Sequence, residues 1–406
     1  MTHPWPVSEC PGGVTAPTGF SAGGMYCGIR KAKKDLAMIR SEVPATIAGV
    51  FTLNKTQAAP ILVDKLQLKR SEHCSAVVVN SGNANACTGE RGLNDAWTMV
   101  RSAASALGVP EGQVMVSSTG VIGQYLPIDK IVAGITTMAG TLTRERGSEA
   151  AEAIMTTDTV RKESAVRFSL GQSTVTIGGM AKGSGMIAPN MATMLGFITT
   201  DAVISQKLLQ KALLKANNRS FNRITVDGDM STNDMVLVLA NGTAGNEPFG
   251  EHSEEFHLFC AALEYVLVKL ARMIARDGEG ATKLIEVYVK GARTEDEAAQ
   301  AARAVANSNL VKTAIHGCDA NWGRIMAAVG YSGIEFNPDE VEILFGDLPV
   351  LNKQYEIVLD ESKAKEALSK DSVLIVVDLN QGSQHARYWT CDLTKEYVHI
   401  NASYRS

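Results

Sequence analysis

Apolar positions along the chain switch between two periods, and the switches mark out a protein of mixed α/β class. Residues 76–79 form an uninterrupted apolar run of buried-strand length. After the turn-rich NSGNANACTGERG, Leu93, Trp97, Val100, Ala104 and Leu107 recur at steps of four and three, which sets all five on one helix face. Gly108 and Pro110 predict its end, because glycine accepts the left-handed turn of a helix stop and proline cannot continue the hydrogen-bond ladder. Residues 114–116 read as a short strand running into SSTG, Ser117 to Gly120, whose small hydroxyls and glycine predict a loop. Ser205 is placed to cap a helix carrying Leu208, Leu209, Ala212, Leu213 and Ala216, and a longer helix is predicted over 253–276, ended by Asp277 and Gly278.

Beyond a soft boundary near Gly280 the pattern predicts a second unit. Ile285, Val287 and Val289 alternate as a strand, Thr294 and Glu297 have capping-box spacing ahead of an Ala-rich helix, and short strands are predicted at 341–345, 372–377 and 397–400. The expected domains are therefore 1–280 and 281–406, in keeping with two or three domains for 406 residues.

Composition narrows the class. With 45% hydrophobic and 20% charged residues and a net charge of −4, the chain is a folded protein without a basic footprint, which argues against disorder and against a nucleic-acid partner. No apolar run approaches membrane-span length, so no membrane partner is expected. The start, MTHPWPVSECPGG, lacks the charged and apolar regions of a secretory signal, so the expected location is cytoplasmic. Seven cysteines, none spaced C-x-x-C, predict reduced thiols rather than a disulfide frame or a metal site. The histidines form no H-E-x-x-H, and His316 with Cys318 is a weak candidate for a thiol–imidazole pair, because such pairs meet in space rather than along the chain.

The densest run of special residues is STVTIGGMAKGSGMIAPNMATML, 173–195. Gly183 to Ala188 fits the G-x-G-x-x-A form of a dinucleotide fingerprint, but Pro189 would sit inside the helix that form requires, at a cost of about 3 kcal/mol. The other reading makes Lys182 a fixed cation, the glycines points of close backbone approach, and Ala192–Thr193 the point of chemistry.

KGSGMIAPNMATML resembles the self-processing site of the ornithine acetyltransferase (glutamate N-acetyltransferase) family of arginine biosynthesis. NSGNANACTG, SSTGVIG, IMTTDT, FNRITVDGDMSTND, ARDGEGATK, NWGRIMAAVGYSG and HINASYRS agree in the same order along almost the whole chain. The resemblance implies a helix-sheet-sheet-helix layered fold of the L-aminopeptidase D-esterase / ornithine acetyltransferase type, with a smaller α/β C-terminal domain completing the substrate site. It implies autocatalytic cleavage between Ala192 and Thr193, after which Thr193 is an N-terminal nucleophile with its own α-amine as base. An α-amine of pKa about 8 is far more often unprotonated at neutral pH than a lysine at about 10.4, so the new terminus suits that task.

By the same resemblance, Thr193 takes acetyl from N2-acetylornithine and passes it to glutamate in ping-pong fashion, Thr119 and Gly120 supply the oxyanion donors, and Thr156, Lys182, Thr193, Glu279, Asn401 and Ser406 bind substrate. Lys182 suits a substrate carboxylate and Glu279 a substrate ammonium. No cofactor is bound, acetyl-CoA is a possible co-substrate, and the cleaved fragments are expected to associate as an α2β2 heterotetramer. A form without acetyl-CoA activity, an aminopeptidase or amidase of the same architecture, and an unprocessed amino-acid binder stay open. Two departures from the family pattern are visible: Arg161 stands where Pro is common, and Ser406 where Thr is common.

Overall fold

The computed structural model describes residues 7–188 and 194–403. These divide into two units: 7–183, 194–222 and 229–270 form the first, and 184–188, 223–228 and 271–403 the second. Ala192, Thr193 and Ser406 lie outside the described residues.

The first unit contains β1 (Ser8–Glu9), β2 (Phe20–Met25), β3 (Leu36–Phe51), α1 (Ala59–Arg70), β4 (His73–Asn83), α2 (Gly89–Leu107), β5 (Val114–Val121), α3 (Ile128–Ala139) and α4 (Gly147–Ala153). It continues with β6 (Lys162–Leu170), β7 (Ser173–Lys182), β8 (Leu195–Thr200), α5 (Gln206–Asn218), β9 (Met235–Ala240) and α6 (Glu254–Arg276), the last of which enters the second unit at Ala271. The strands join in the order β1-β6-β7-β8-β9-β3-β4-β5, with β2 also on β3. β3 is the pivot of this sheet. Its first part pairs with β2 and β4, its last part, Thr46 to Phe51, pairs with β9, and the β4 register breaks between Arg40 and Ala45, where Pro44 has no N–H to give.

The two halves of the sheet share one core. Met180, Phe197 and Leu237 from one half cluster with Ile39, Val77, Val79 and Met115 from the other. The opposite face of β4 and β5, through Ala76, Val78, Val114 and Val116, is covered by Val63 of α1, Met99 and Val100 of α2, and Ile131 and Ile135 of α3. Over the other half, Leu270 of α6 lies against Gly179, and Gln210 of α5 exchanges hydrogen bonds with the Gly49 backbone. This is the helix-sheet-sheet-helix layering that the resemblance implies. Each fully buried Val, Leu or Ile side chain in these layers contributes about 1.5–3 kcal/mol.

The helix face read from the sequence is the buried one. Val100, Ala104 and Leu107 are buried, Leu93 and Trp97 pack partly against the same cluster, and Gly108 at φ 67° ends α2. SSTG, in contrast, is not a loop. β5 runs through it, pairing in parallel with β4 from Val79↔Ser117 to Gly82↔Gly120, and Ser117 and Ser118 are buried within the strand. Turn-like composition misleads here because Asn80 offers the Ser118 hydroxyl an acceptor, at 2.6 Å, inside the fold.

The second unit contains β10 (Leu284–Ala292), α7 (Glu295–Asn307), α8 (Asn309–His316), α9 (Trp322–Gly330), β11 (Glu342–Phe345), β12 (Leu348–Leu351), α10 (Glu361–Leu368), β13 (Ser372–Asp378), β14 (Gln384–Cys391) and α11 (Lys395–Ala402). Its sheet has the order β12-β11-β13-β10-β14. The alternating Ile285, Val287 and Val289 face Ala298, Ala301, Ala302 and Val305 of α7, and the Thr294 hydroxyl accepts the Glu297 amide at 3.1 Å, as the capping spacing predicts. Residues 397–400 are helical rather than extended. The Thr394 side chain accepts the Glu396 amide to start α11, and Val398 is 65% exposed, so the brief Tyr-Val-His-Ile run never faces a core as a strand would.

All seven cysteines are free. Among the described residues, no helix is long and apolar enough to cross a membrane, and no group of His, Cys, Asp and Glu side chains is arranged to hold a metal ion.

Candidate functional site

Within the first unit, β5 carries Thr119 and Gly120 to the end of its pairing with β4. Thr119 is 9% exposed, and Gly120 has φ 134°. A Cβ at Gly120 would come within 2.3 Å of the Gly82 carbonyl carbon and 2.5 Å of the Asn83 nitrogen, so only glycine fits. Asn83 pairs with both Thr119 and Val121, a bulge that re-aims the strand end. Buried amides brace it: Asn233 Nδ2 donates to the carbonyls of Ala84 at 2.6 Å and Ser118 at 2.8 Å, and Asn80 Nδ2 donates to the Asn83 carbonyl at 2.9 Å.

Thr156 and Lys182 belong to a second cluster of the same unit, organised by a carboxylate that the sequence reading did not single out. Asp158 is buried, and its Oδ1 accepts Lys162 Nζ at 2.7 Å and the Gly183 amide at 2.7 Å, while Oδ2 accepts the Thr156 amide at 3.0 Å. Burial alone would push this carboxyl up. The charges of Lys182 and Lys162, with the hydrogen bonds, outweigh burial and hold it at about 2. Lys162 is fully buried and Lys182 is 8% exposed, so both sit where an unpaired ammonium would be costly. Arg161, the departure from the family pattern, is exposed just before β6 and leaves these contacts in place.

Glu279 and Asn401 meet within the second unit. Asn401 Nδ2 donates to Glu279 Oε2 at 2.7 Å, and the Glu279 amide donates to the Ser184 carbonyl at 3.0 Å. Gly185 makes room for the carboxylate, since a Cβ there would lie 2.3 Å from it. Asp227 accepts the amides of Met186 at 2.6 Å and Ile187 at 2.8 Å, so the segment 184–188 is tied down on two sides. Met186 has φ 57° and no helix starts across 183–188, so the dinucleotide fingerprint has no phosphate-binding helix here. Asn401 is held on ordered helix at the far end of the chain: the Thr394 hydroxyl ties α11 to the Gly280 carbonyl at 2.7 Å.

His316 and Cys318 do not pair. His316 Nδ1 bonds Asp392 Oδ2 at 2.8 Å, and Lys283 Nζ lies 3.0 Å from the Cys318 sulfur.

Fold and site together define a two-unit α/β protein with a folded nine-stranded sheet, a glycine-shaped strand end, and buried carboxylates that hold backbone amides and a lysine. The chain matches the ArgJ family over residues 21–406, and it belongs to that family. It is 54% identical over 398 residues to the arginine biosynthesis bifunctional protein ArgJ of Symbiobacterium thermophilum, covering 97% of this chain and 99% of that protein. It is 52% identical over 400 residues to the protein of the same name from Bacillus subtilis, covering 98% of each. The crystal structure of the Bacillus halodurans protein aligns with a TM-score of 0.51 at 49% identity, covering 52% of this chain and 99% of that one.

Proposed function

We infer that this protein transfers the acetyl group of N2-acetylornithine to glutamate, giving ornithine and N-acetylglutamate in arginine biosynthesis. The observation that carries this is identity above 50% to ArgJ proteins over nearly their whole length, with family membership spanning residues 21–406.

In the proposed mechanism the Thr193 hydroxyl attacks the Ala192 carbonyl, an N-to-O acyl shift and hydrolysis cut the chain, and the freed α-amine of Thr193 takes the proton of its own hydroxyl. Thr193 then attacks the acetyl carbonyl of N2-acetylornithine, releases ornithine, and returns the acetyl group to the amine of glutamate. Thr119 and Gly120 supply donors to the tetrahedral oxyanion. This role is supported by the positive φ and close backbone packing at Gly120, which fix that peptide before substrate arrives. Thr156, Lys182, Thr193, Glu279, Asn401 and Ser406 bind substrate, with Lys182 on a carboxylate and Glu279 on an ammonium. In the division read from the sequence, 1–280 would hold the chemistry and 281–406 would complete substrate binding, although Glu279 itself packs within the second unit. Acetyl-CoA as a second acetyl donor, an α2β2 assembly of cleaved fragments, and action in the cytoplasm belong to the same proposal.

Incubation with N2-acetylornithine, with and without glutamate, tests it. Acetylglutamate forms in step with ornithine when glutamate is present; free acetate released at one rate regardless of glutamate would instead identify a hydrolase.

A further inference from the structure

We infer that Arg30 is a positioning residue for this reaction, tying the Thr156 segment to the Gly82–Gly120 contact. The inference rests on the acetyl-transfer reading and adds to it a residue from outside the resembling motifs.

The loop between β2 and β3 is wound around Asp35, a carboxylate with 0% exposure. Its oxygens accept the amides of Cys27 at 2.6 Å, Gly28 at 3.2 Å, Ile29 at 2.7 Å and Arg30 at 2.9 Å. Four amides on one carboxylate fix the backbone path, so Arg30 leaves the loop in a set direction. Its guanidinium forks across two successive carbonyls, Nη1 to Met155 at 2.8 Å and Nη2 to Thr156 at 3.2 Å. Asp158 already holds the Thr156 amide. Residue 156 is thus gripped at both ends, its carbonyl by a cation and its amide by an anion.

The stem of Arg30 does something different. A Cβ at Gly82 would fall 2.7 Å from Arg30 Cγ, so the methylenes lie directly on the Gly82 backbone, and Gly82 is the surface against which Gly120 is pressed. One side chain therefore supports two parts of the proposed site, by hydrogen bonding at its head and by packing along its stem. Lysine could not reproduce the head, because a single ammonium lacks the planar fork that spans two carbonyls.

The two contributions separate by substitution. Arg30→Met keeps a stem and removes the fork; Arg30→Ala removes both. With rates normalised to active sites titrated by acetyl labelling, Arg30→Met raises KM for N2-acetylornithine about tenfold and leaves kcat within about threefold, the scale of a lost charge-assisted hydrogen bond. Arg30→Ala shows the same KM increase and in addition lowers kcat about tenfold, through a loosened Gly82–Gly120 contact. Arg30→Lys recovers part of the KM loss. A wild-type KM in Arg30→Met, or variants that lose only folded enzyme while KM stays unchanged, overturns the proposal, as does an Arg30→Ala no slower than Arg30→Met. Should Arg30→Ala not fold, Arg30→Met decides alone. Failure of the acetyl-transfer reading looks different, since wild-type enzyme would then make no acetylglutamate.

Discussion

Asp158 in the first unit and Glu279 in the second are both buried carboxylates, at 3% and 6% exposure, yet their surroundings differ in kind. Asp158 is saturated from within: Lys162, the charge of Lys182, and the amides of Thr156 and Gly183 use its acceptor capacity. Glu279, among the described residues, receives one side-chain donor, the amide of Asn401. A saturated carboxylate organises backbone, and the proposed function gives the other, Glu279, the ammonium of a substrate. Burial alone does not distinguish the two carboxylates; among the described residues their side-chain and backbone donors do.

The largest effect that could break this comparison is on folding. Asp158→Ala leaves the buried Lys162 ammonium without its carboxylate, and urea denaturation should show a loss of about 3–5 kcal/mol. A loss under about 1 kcal/mol would mean that the pair does not organise the Thr156 segment. At the other carboxylate, Glu279→Gln keeps shape and hydrogen bonding, so stability should change by less than about 1 kcal/mol while KM for N2-acetylornithine rises about 10- to 100-fold, as expected when a charged partner is lost from binding. An unchanged KM with lowered stability would reverse the two assignments.

Acid titration sharpens the contrast. The Asp158 carboxyl is held at about 2, below the usual value near 3.9, so its contribution is complete above about pH 4 and is lost as pH falls from about 4 to about 2. Wild-type stability should decline through that window, and a charge-free pair, Asp158→Asn with Lys162→Met, should flatten that part of the curve. A double variant with the same acid decline would place its origin elsewhere. The smallest effect is at Asn401→Ala, which removes one neutral donor from Glu279: roughly a threefold rise in KM, read by steady-state kinetics, with kcat preserved.

Periodicity made the buried face of α2, the alternation of β10 and the cap of α7 readable, because each is written by residues close together in sequence. SSTG is not legible from its own residues for the opposite reason. Its strand character depends on partners in β4 and on Asn80, some forty residues away, and small hydroxyl residues signal a turn only when such partners are absent. The helix at 395–402 was hidden by a four-residue apolar run too short to carry a period. Resemblance supplied Thr119, Gly120, Thr156, Lys182, Glu279 and Asn401; Asp158, Arg30 and Asn233 emerged only from their contacts. Asp158 lies between threonines in TTDT with no periodic signal, and its role becomes visible once two lysines and two amides converge on it.

The central claim is that a backbone cut creates the nucleophile, and the N-terminal sequence of purified, fully active material tests it most directly. The account predicts two chains, residues 1 to 192 and 193 to 406, the second beginning Thr193-Met194-Leu195, and an intact inactive chain for Thr193→Ala. Intact protein starting only at Met1 or Thr2, with full transferase turnover, would contradict it.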